Sequence, residues 1–151
     1  MDGTYLIELY DEVKQLLPDI NLALTAQDLS ELTEINDKFI KTNLAKRPFM
    51  LVDLSEPKNG REPYHEGISV IEEVILKLQV YVAGNQRDAL AYEGLIKSFF
   101  KDQEANLRNK IQDAYLGNIL PLYSSLKVDE EFKNNNGWII ELRFRLLFNW
   151  E

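Results

Sequence analysis

The 151-residue sequence contains no cysteine and a single histidine, His65. Without thiols there are no disulfides, no cysteine nucleophiles and no zinc or iron–sulfur sites built on cysteine. One histidine excludes sites in which several imidazoles bind the same metal. Because His65 lies in the turn-rich segment KNGREPYHEG, we expect it to be a surface residue.

Long apolar runs and glycine-rich loops are also missing. No stretch of about 18 apolar residues occurs, so we expect no transmembrane helix and no membrane partner. The segment PKNGREP has one glycine and no following Lys-Ser or Lys-Thr, so it is not a phosphate-binding loop. No Gly-x-Ser-x-Gly nucleophile motif is present. We therefore predict no catalytic residue, no cofactor and no metal, and a protein that is not an enzyme.

The composition is that of a packed protein. Hydrophobic residues make up 45% of the chain and aromatic residues 11%, which argues against disorder. A chain of this length can bury a stable core without a disulfide or a metal. We predict a single domain spanning residues 1–151.

The formal net charge of −8 is concentrated at one end of the chain. Residues 1–37 hold nine acidic side chains and one basic side chain, Lys14, whereas residues 38–151 hold sixteen of each. One interpretation is a set of solvated helix faces. The other is an acidic surface that binds a basic partner or repels nucleic acid. Direct DNA binding through phosphate neutralisation is disfavoured.

Helical spacing of apolar residues predicts an amphipathic helix near the start of the chain, ended by Pro18. Alternation in DINLALTA predicts a short strand over residues 19–26. Residues 27–43 fit either a second helix or a long loop with one helical turn. The run from Phe49 to Leu54, between two prolines, predicts a strand.

The second half predicts two long strands around a long helix. ISVIEEVILKLQVYVAG alternates between two faces, with Glu72 interrupting the apolar one. Asn85 and Asp88 predict the N-cap of a helix that KDQEAN interrupts and that Gly117-Asn118 would end. LYSSLKV predicts a weaker strand, and Asn136-Gly137 a hairpin turn. The fold class is α+β, a single mostly antiparallel sheet with helices packed on one face.

The last strand carries the candidate site. Arg143 and Arg145 share a face with Glu141, and Lys77 and Tyr81 lie on the matching face of the long central strand. One interpretation is a solvated face with weak cross-strand pairs. The other is a subunit interface, because apolar side chains mixed with arginine and tyrosine are typical of such surfaces.

An enzymatic alternative uses Asp53, Glu72 and Lys77. These side chains would form a metal-dependent hydrolase site if they met at one end of the sheet. Such acidic and basic triples arise often by chance in a chain with 28% charged residues.

Several segments resemble a known family. The chain resembles the tail terminator and tail completion proteins of long-tailed bacteriophages and related contractile particles. The segments that carry the resemblance are, in this order, RPFMLVDLSEP, VILKLQVYVAG, the helix from Asn85 onwards and GWIIELRFRLLF. The resemblance covers roughly residues 45–150, and the opening helix adds to it.

The resemblance implies a structural virion protein of the tail and neck, assembled in the host cytoplasm. Such a protein forms a ring, usually a hexamer, on the last ring of the tail tube. Its partners would be other copies of itself, the tail tube, and sheath or neck connector proteins, and DNA would pass through without specific binding. A rival interpretation is a small α+β adaptor that binds one protein partner through its sheet.

Overall fold

The computed structural model describes residues 4–37, 47–55, 58–59, 70–130 and 136–150. Within these ranges the chain forms four helices and six strands. In chain order they are α1 (Thr4–Gln15), α2 (Leu17–Ala26), β1 (Ile35–Asp37), β2 (Phe49–Leu54), β3 (Lys58–Asn59), β4 (Val70–Ala83), α3 (Gln86–Lys101), α4 (Glu104–Lys110), β5 (Tyr115–Val128) and β6 (Gly137–Trp150).

All six strands belong to one sheet. Its order is β1-β2-β4-β6-β5, and β3 pairs with β4 beyond the end of β2. Only the β1–β2 pair is parallel among the described strands. The longest ladder joins β4 to β6, from Val70 opposite Trp150 to Ala83 opposite Gly137. The predicted α+β class, with a mostly antiparallel sheet, is confirmed.

The helices pack on one face of the sheet and form a hydrophobic core with it. Even-numbered residues of β4 and β6 point into this core, as the alternation predicts. The largest buried side chains of this layer include Tyr5, Phe100, Phe144 and Phe148. Phe100 lies 5.8 Å from Phe144, and Tyr5 lies 4.7 Å from Phe148, between ring centroids.

The strand predicted for residues 19–26 is wrong, because these residues form α2. Pro18 ends α1 as expected but also occupies the first turn of α2, where its missing N–H costs no hydrogen bond. Ile20 and Leu24 are buried four residues apart, whereas Leu22 between them is 70% exposed. The apparent alternation is therefore the inner and outer face of a helix.

The helix considered for residues 27–43 is absent from the part that the structure describes, residues 27–37. Asp28 has a φ of 59°, and the N–H of Leu29 donates to the carbonyl of Leu24 at 3.0 Å. This left-handed residue and its backward hydrogen bond end α2. The chain then enters the short strand β1, which neither interpretation contained. Residues 38–43 lie outside the described residues.

The central predictions are confirmed. β2 spans Phe49–Leu54, β4 follows as the long strand, and α3 begins after a capping box. The Asn85 side chain accepts from the Asp88 N–H at 2.9 Å, and the Asp88 carboxylate accepts from the Asn85 N–H at 3.2 Å. The interruption at KDQEAN separates α3 from α4.

The predicted end of the helix at Gly117-Asn118 is wrong. The last helical residue is Lys110, and Gly117 lies inside β5. β5 has 14 residues, far more than LYSSLKV, because two bulges disturb its alternation. One lies between Leu116 and Asn118 and the other between Pro121 and Tyr123. Pro121 is tolerated because β5 is an edge strand.

β5 and β6 pair as neighbouring antiparallel strands, as predicted. The turn signal at Asn136-Gly137 lies at the start of β6, and residues 131–135 lie outside the described residues. His65 also lies outside them. None of the helices in the described ranges is long and apolar enough to cross a membrane.

Candidate functional site

The candidate site is the sheet face opposite the helices, here called the open face. Cross-strand register places on it the odd-numbered residues of β4 and β6 and their partners on β2 and β5. All five predicted interface residues lie there. Its central members are Glu73, Ile75, Lys77, Gln79, Tyr81, Ile139, Glu141, Arg143, Arg145 and Leu147.

Glu141 is the centre of an ionic cluster on this face. It accepts from Arg143 Nε at 2.8 Å and lies 3.6 Å from Lys77 Nζ. Lys77 and Arg143 are direct cross-strand partners, so their like charges would repel without the carboxylate between them. The Tyr123 hydroxyl donates to Glu141 at 3.4 Å, and the Arg143 guanidinium lies 5.2 Å from the Tyr123 ring centroid.

The Glu141 carboxylate is held in its charged form. Partial burial alone would raise its pKa, but the Arg143 hydrogen bond and the charges of Lys77 and Arg143 outweigh this effect. The net result is a pKa below the usual value for glutamate. Lys77, Glu141 and Arg143 thus form a pre-organised charged cluster.

Arg145 belongs to a neighbouring pair. Its Nη1 lies 3.7 Å from Glu73 Oε2, while its Nε is buried and has no hydrogen-bond partner among the described residues. About a third of each of the two side chains is exposed. The Arg145 guanidinium lies beside Leu147 and Ile75, and its N–H donors are incompletely used within the described residues.

Tyr81 lies apart from the charged cluster, at the other end of the open face. Its ring stacks on Phe49 at 4.8 Å between centroids, and the Arg47 guanidinium lies 5.7 Å from the Tyr81 ring. Arg47 also forms a buried ion pair with Asp129, which follows β5. The five predicted residues therefore divide into a cluster of three, the Arg145–Glu73 pair and this aromatic stack.

The Arg47–Asp129 pair was not anticipated from the sequence. The two residues are 82 positions apart, and neither belongs to a pattern that indicates pairing. The one indication in the sequence is that both residues lie at strand ends: Arg47 precedes β2 and Asp129 follows β5. Tyr123 was missed because the bulge before it conceals the face on which it lies.

Exposed apolar side chains are concentrated on β5. Of the eight large hydrophobic residues that are exposed in the described ranges, five belong to this strand, and three of these lie on the open face. The three are Tyr115, Leu120 and Tyr123. The open face therefore combines charged residues with exposed apolar side chains.

The three residues of the hydrolase alternative do not meet. Asp53 and Lys77 are cross-strand partners on the open face. Glu72 lies on the helix side, where its carboxylate accepts a hydrogen bond from the hydroxyl of buried Tyr5. The described residues also contain no group of three or more acidic or histidine side chains that could hold a metal ion.

A groove of about 630 Å³ lies between α2 and α3, on the helix side. Leu29, Leu95 and Phe99 supply its apolar lining, and Asp102 is the one titratable side chain among the described residues that line it. It therefore offers no acid–base pair for catalysis.

Acidic side chains of the first quarter lie on the outer surface of α1, α2 and the segment after them. Asp11, Asp19, Asp28 and Glu31 are exposed. This surface belongs to the helix layer, so the acidic surface and the cationic side chains of the open face lie on opposite layers of the molecule.

Comparisons with known proteins give little. No family model and no curated protein matches the chain. Among the solved structures with a similar chain is one titled "Virion of native gene transfer agent (GTA) particle", with a TM-score of 0.43 and 13% sequence identity. The match covers 78% of this chain and 80% of that chain.

Proposed function

We propose that this chain is a non-catalytic structural protein of a phage-like virion. Copies of it would form a ring that ends the tail tube and joins it to the head connector. The order of elements that carries the sequence resemblance is present: β2, β4, α3 and β6 follow one another at the expected positions. The opening helix α1 is present as well.

The observation that carries the proposal is the chemistry of the open face. A two-layer protein covers one side of its sheet with helices. On the other side Phe49 and Leu51 of β2 are buried, whereas the β5 end of this face stays exposed. Here that side combines Arg143 and Arg145 with exposed Leu120 and Tyr123. Arginine and tyrosine beside apolar side chains are favoured at the centres of interfaces.

A ring needs two different complementary surfaces on each copy. The acidic side chains of α1 and α2, such as Asp11 and Asp19, are exposed on the helix layer. Arg143 and Arg145 lie on the other layer. A contact between the helix layer of one copy and the open face of the next would bring these opposite charges together.

The remaining acidic side chains would suit a lumen through which DNA slides without sticking, since the net charge is −8. The tail tube and the neck or connector proteins are the other partners of this proposal.

Reversal of charge on the open face tests the ring. We expect the purified chain to form an oligomer whose mass rises with concentration to a ring of fixed size, measured by multi-angle light scattering. The double variant Arg143→Glu/Arg145→Glu should lower that mass to the monomer. The matched control Arg87→Glu/Lys101→Glu makes the same charge change at exposed positions of α3, on the helix layer. Added negative charge there cannot weaken a contact with the cationic open face, so this control should not lower the mass.

Two outcomes contradict the proposal. A ring that persists in the open-face variant would show that the arginines are not the contact. A chain that is monomeric at every concentration, and binds one unrelated protein through the open face, would favour the adaptor interpretation instead.

A further inference from the structure

The outer edge of β5 is closed along its first half. α4 supplies the closing groups: Arg108 donates from Nε to the Leu116 carbonyl at 2.7 Å and from Nη2 to the Gly117 carbonyl at 3.0 Å. The Ile119 N–H donates to Glu104 Oε1 at 2.8 Å. Pro121 then has no N–H to offer. A new strand cannot add along this half of the edge.

The second half of β5, residues 123–128, is here called the free edge. The Asp129 N–H donates to the Gly137 carbonyl at 2.8 Å, so residue 129 faces β6. Inward and outward backbone groups alternate along an antiparallel strand. The N–H and C=O groups of Ser124, Leu126 and Val128 therefore point outwards, and the described residues provide no partner for them.

The free edge also carries little charge and several exposed apolar side chains. Leu122, Tyr123 and Val128 are exposed on or beside it, and Lys127 is the one ionisable residue with a charge at neutral pH within residues 122–128. Exposed strand edges of soluble proteins usually carry charges, prolines or bulges that prevent pairing. Here the proline and the bulges stop before Tyr123, and Lys127 is the one charged residue on the free edge.

We propose that the free edge pairs with the free edge of a second copy of this chain, antiparallel and about a twofold axis at Leu126. The outward-facing residues 124, 126 and 128 are symmetric about Leu126. Ser124 thus faces Val128 of the second copy, and the hydrogen-bonding rows match.

The register follows from the residues that cannot pair. With the axis at Leu126, Pro121 and the bulge face positions beyond Val128, where β5 of the second copy has ended. The same register places each Lys127 opposite Ser125 of the second copy, so no like charges face one another directly. The contact uses the edge of the sheet, whereas the proposed ring uses its open face, and either can fail alone.

Amide exchange resolved by residue tests the pairing. We expect the amides of Ser124, Leu126 and Val128 to exchange rapidly in dilute solution and to become protected as the concentration rises. Amides of the same strand that face β6, such as that of Lys127, should be protected at all concentrations and serve as the internal control. Rapid exchange of the three outward amides at every concentration would overturn the proposal.

Opposite charges at one exposed position test the register. Because Ser125 also lies on the open face, opposite Glu141, both variants are made in the Arg143→Glu/Arg145→Glu chain, which should not form the ring. Ser125→Glu places a carboxylate opposite Lys127 of the second copy, and Ser125→Lys places an ammonium there. Two such pairs form per dimer. The protein concentration at which the outward amides are half-protected from exchange should therefore fall about fivefold in Ser125→Glu and rise about fivefold in Ser125→Lys.

Monomer stability should change in the other direction, which separates pairing from folding. Ser125 lies opposite Glu141 within the chain, so Ser125→Glu should lower the melting temperature of the dilute protein relative to Ser125→Lys. The twofold pairing would be contradicted if the protein concentration at half-protection were the same in both variants. It would also be contradicted if the variant with the lower melting temperature needed the higher concentration.

Discussion

At the scale of single residues, the Tyr5 hydroxyl bonded to Glu72 explains why an acidic residue occupies the core side of β4. Burial and then the bond to the neighbouring carboxylate raise the pKa of Tyr5 above its ordinary value. We expect Tyr5→Phe to lower the free energy of unfolding by about 1 kcal/mol at neutral pH, because Glu72 loses its donor while half-buried.

The raised pKa of Tyr5 also predicts a pH dependence. As the pH rises above about 10, the hydroxyl ionises in the unfolded chain but stays protonated in the folded chain. The contribution of Tyr5 to the free energy of unfolding is therefore complete below this pH and is lost progressively above it. Chemical denaturation from pH 8 upwards should show a steeper loss of stability in the natural chain than in Tyr5→Phe. Tyr115→Phe, at an exposed tyrosine, should keep the steep loss.

Residue-level prediction from the sequence succeeded where alternation decides the face. The positions of Glu141, Arg143 and Lys77 on one surface follow from the period of two. The burial of Arg47 with Asp129 does not follow, because a pair 82 residues apart depends on how the sheet is assembled. The departure of Glu72 from the apolar pattern was visible, but its partner Tyr5 was not.

At the scale of elements, two glycines give opposite expectations for the same substitution. Gly84 has a φ of 126°, and an added Cβ would lie 2.5 Å from the Asp88 carboxylate that caps α3. Gly84→Ala should therefore cost about 1–3 kcal/mol. Gly94 lies within α3 with nothing near its Cβ position, so Gly94→Ala should stabilise by roughly 0.5–1 kcal/mol. Urea denaturation of both variants measures the difference, and shifts of the same sign would contradict it.

Elements with strong local signals were predicted correctly, and those with mixed signals were not. The capping box of α3 and the unbroken alternation of β6 identify their elements without help from the rest of the chain. α2 was mistaken for a strand because Ile20, Leu22 and Leu24 satisfy both a period of two and a helical spacing of four. β5 was shortened because its bulges and Pro121 interrupt the pattern that defines a strand.

At the scale of the whole molecule, the sequence predicted one sheet with helices on one side but not the strand order. Pairing of β4 with β6 brings together segments separated by two helices and β5, and local patterns contain no information about such partners. That pairing nevertheless creates the open face, since it places Lys77 beside Arg143 and Glu141. The function proposed here depends on this arrangement.

The central claim is that another copy of the chain covers the open face on assembly. Since the chain contains no cysteine, a single introduced thiol reports on one position. Leu120→Cys places the thiol on the open face, and Asn136→Cys places it at the exposed end of the sheet before β6 as the control.

Thiol labelling rates of the two variants, measured in dilute and in assembled protein, test the claim most directly. We predict that labelling at position 120 slows at least severalfold on assembly, while labelling at position 136 keeps its rate. Equal rates at position 120 in both states, with assembly verified by mass, would contradict the account.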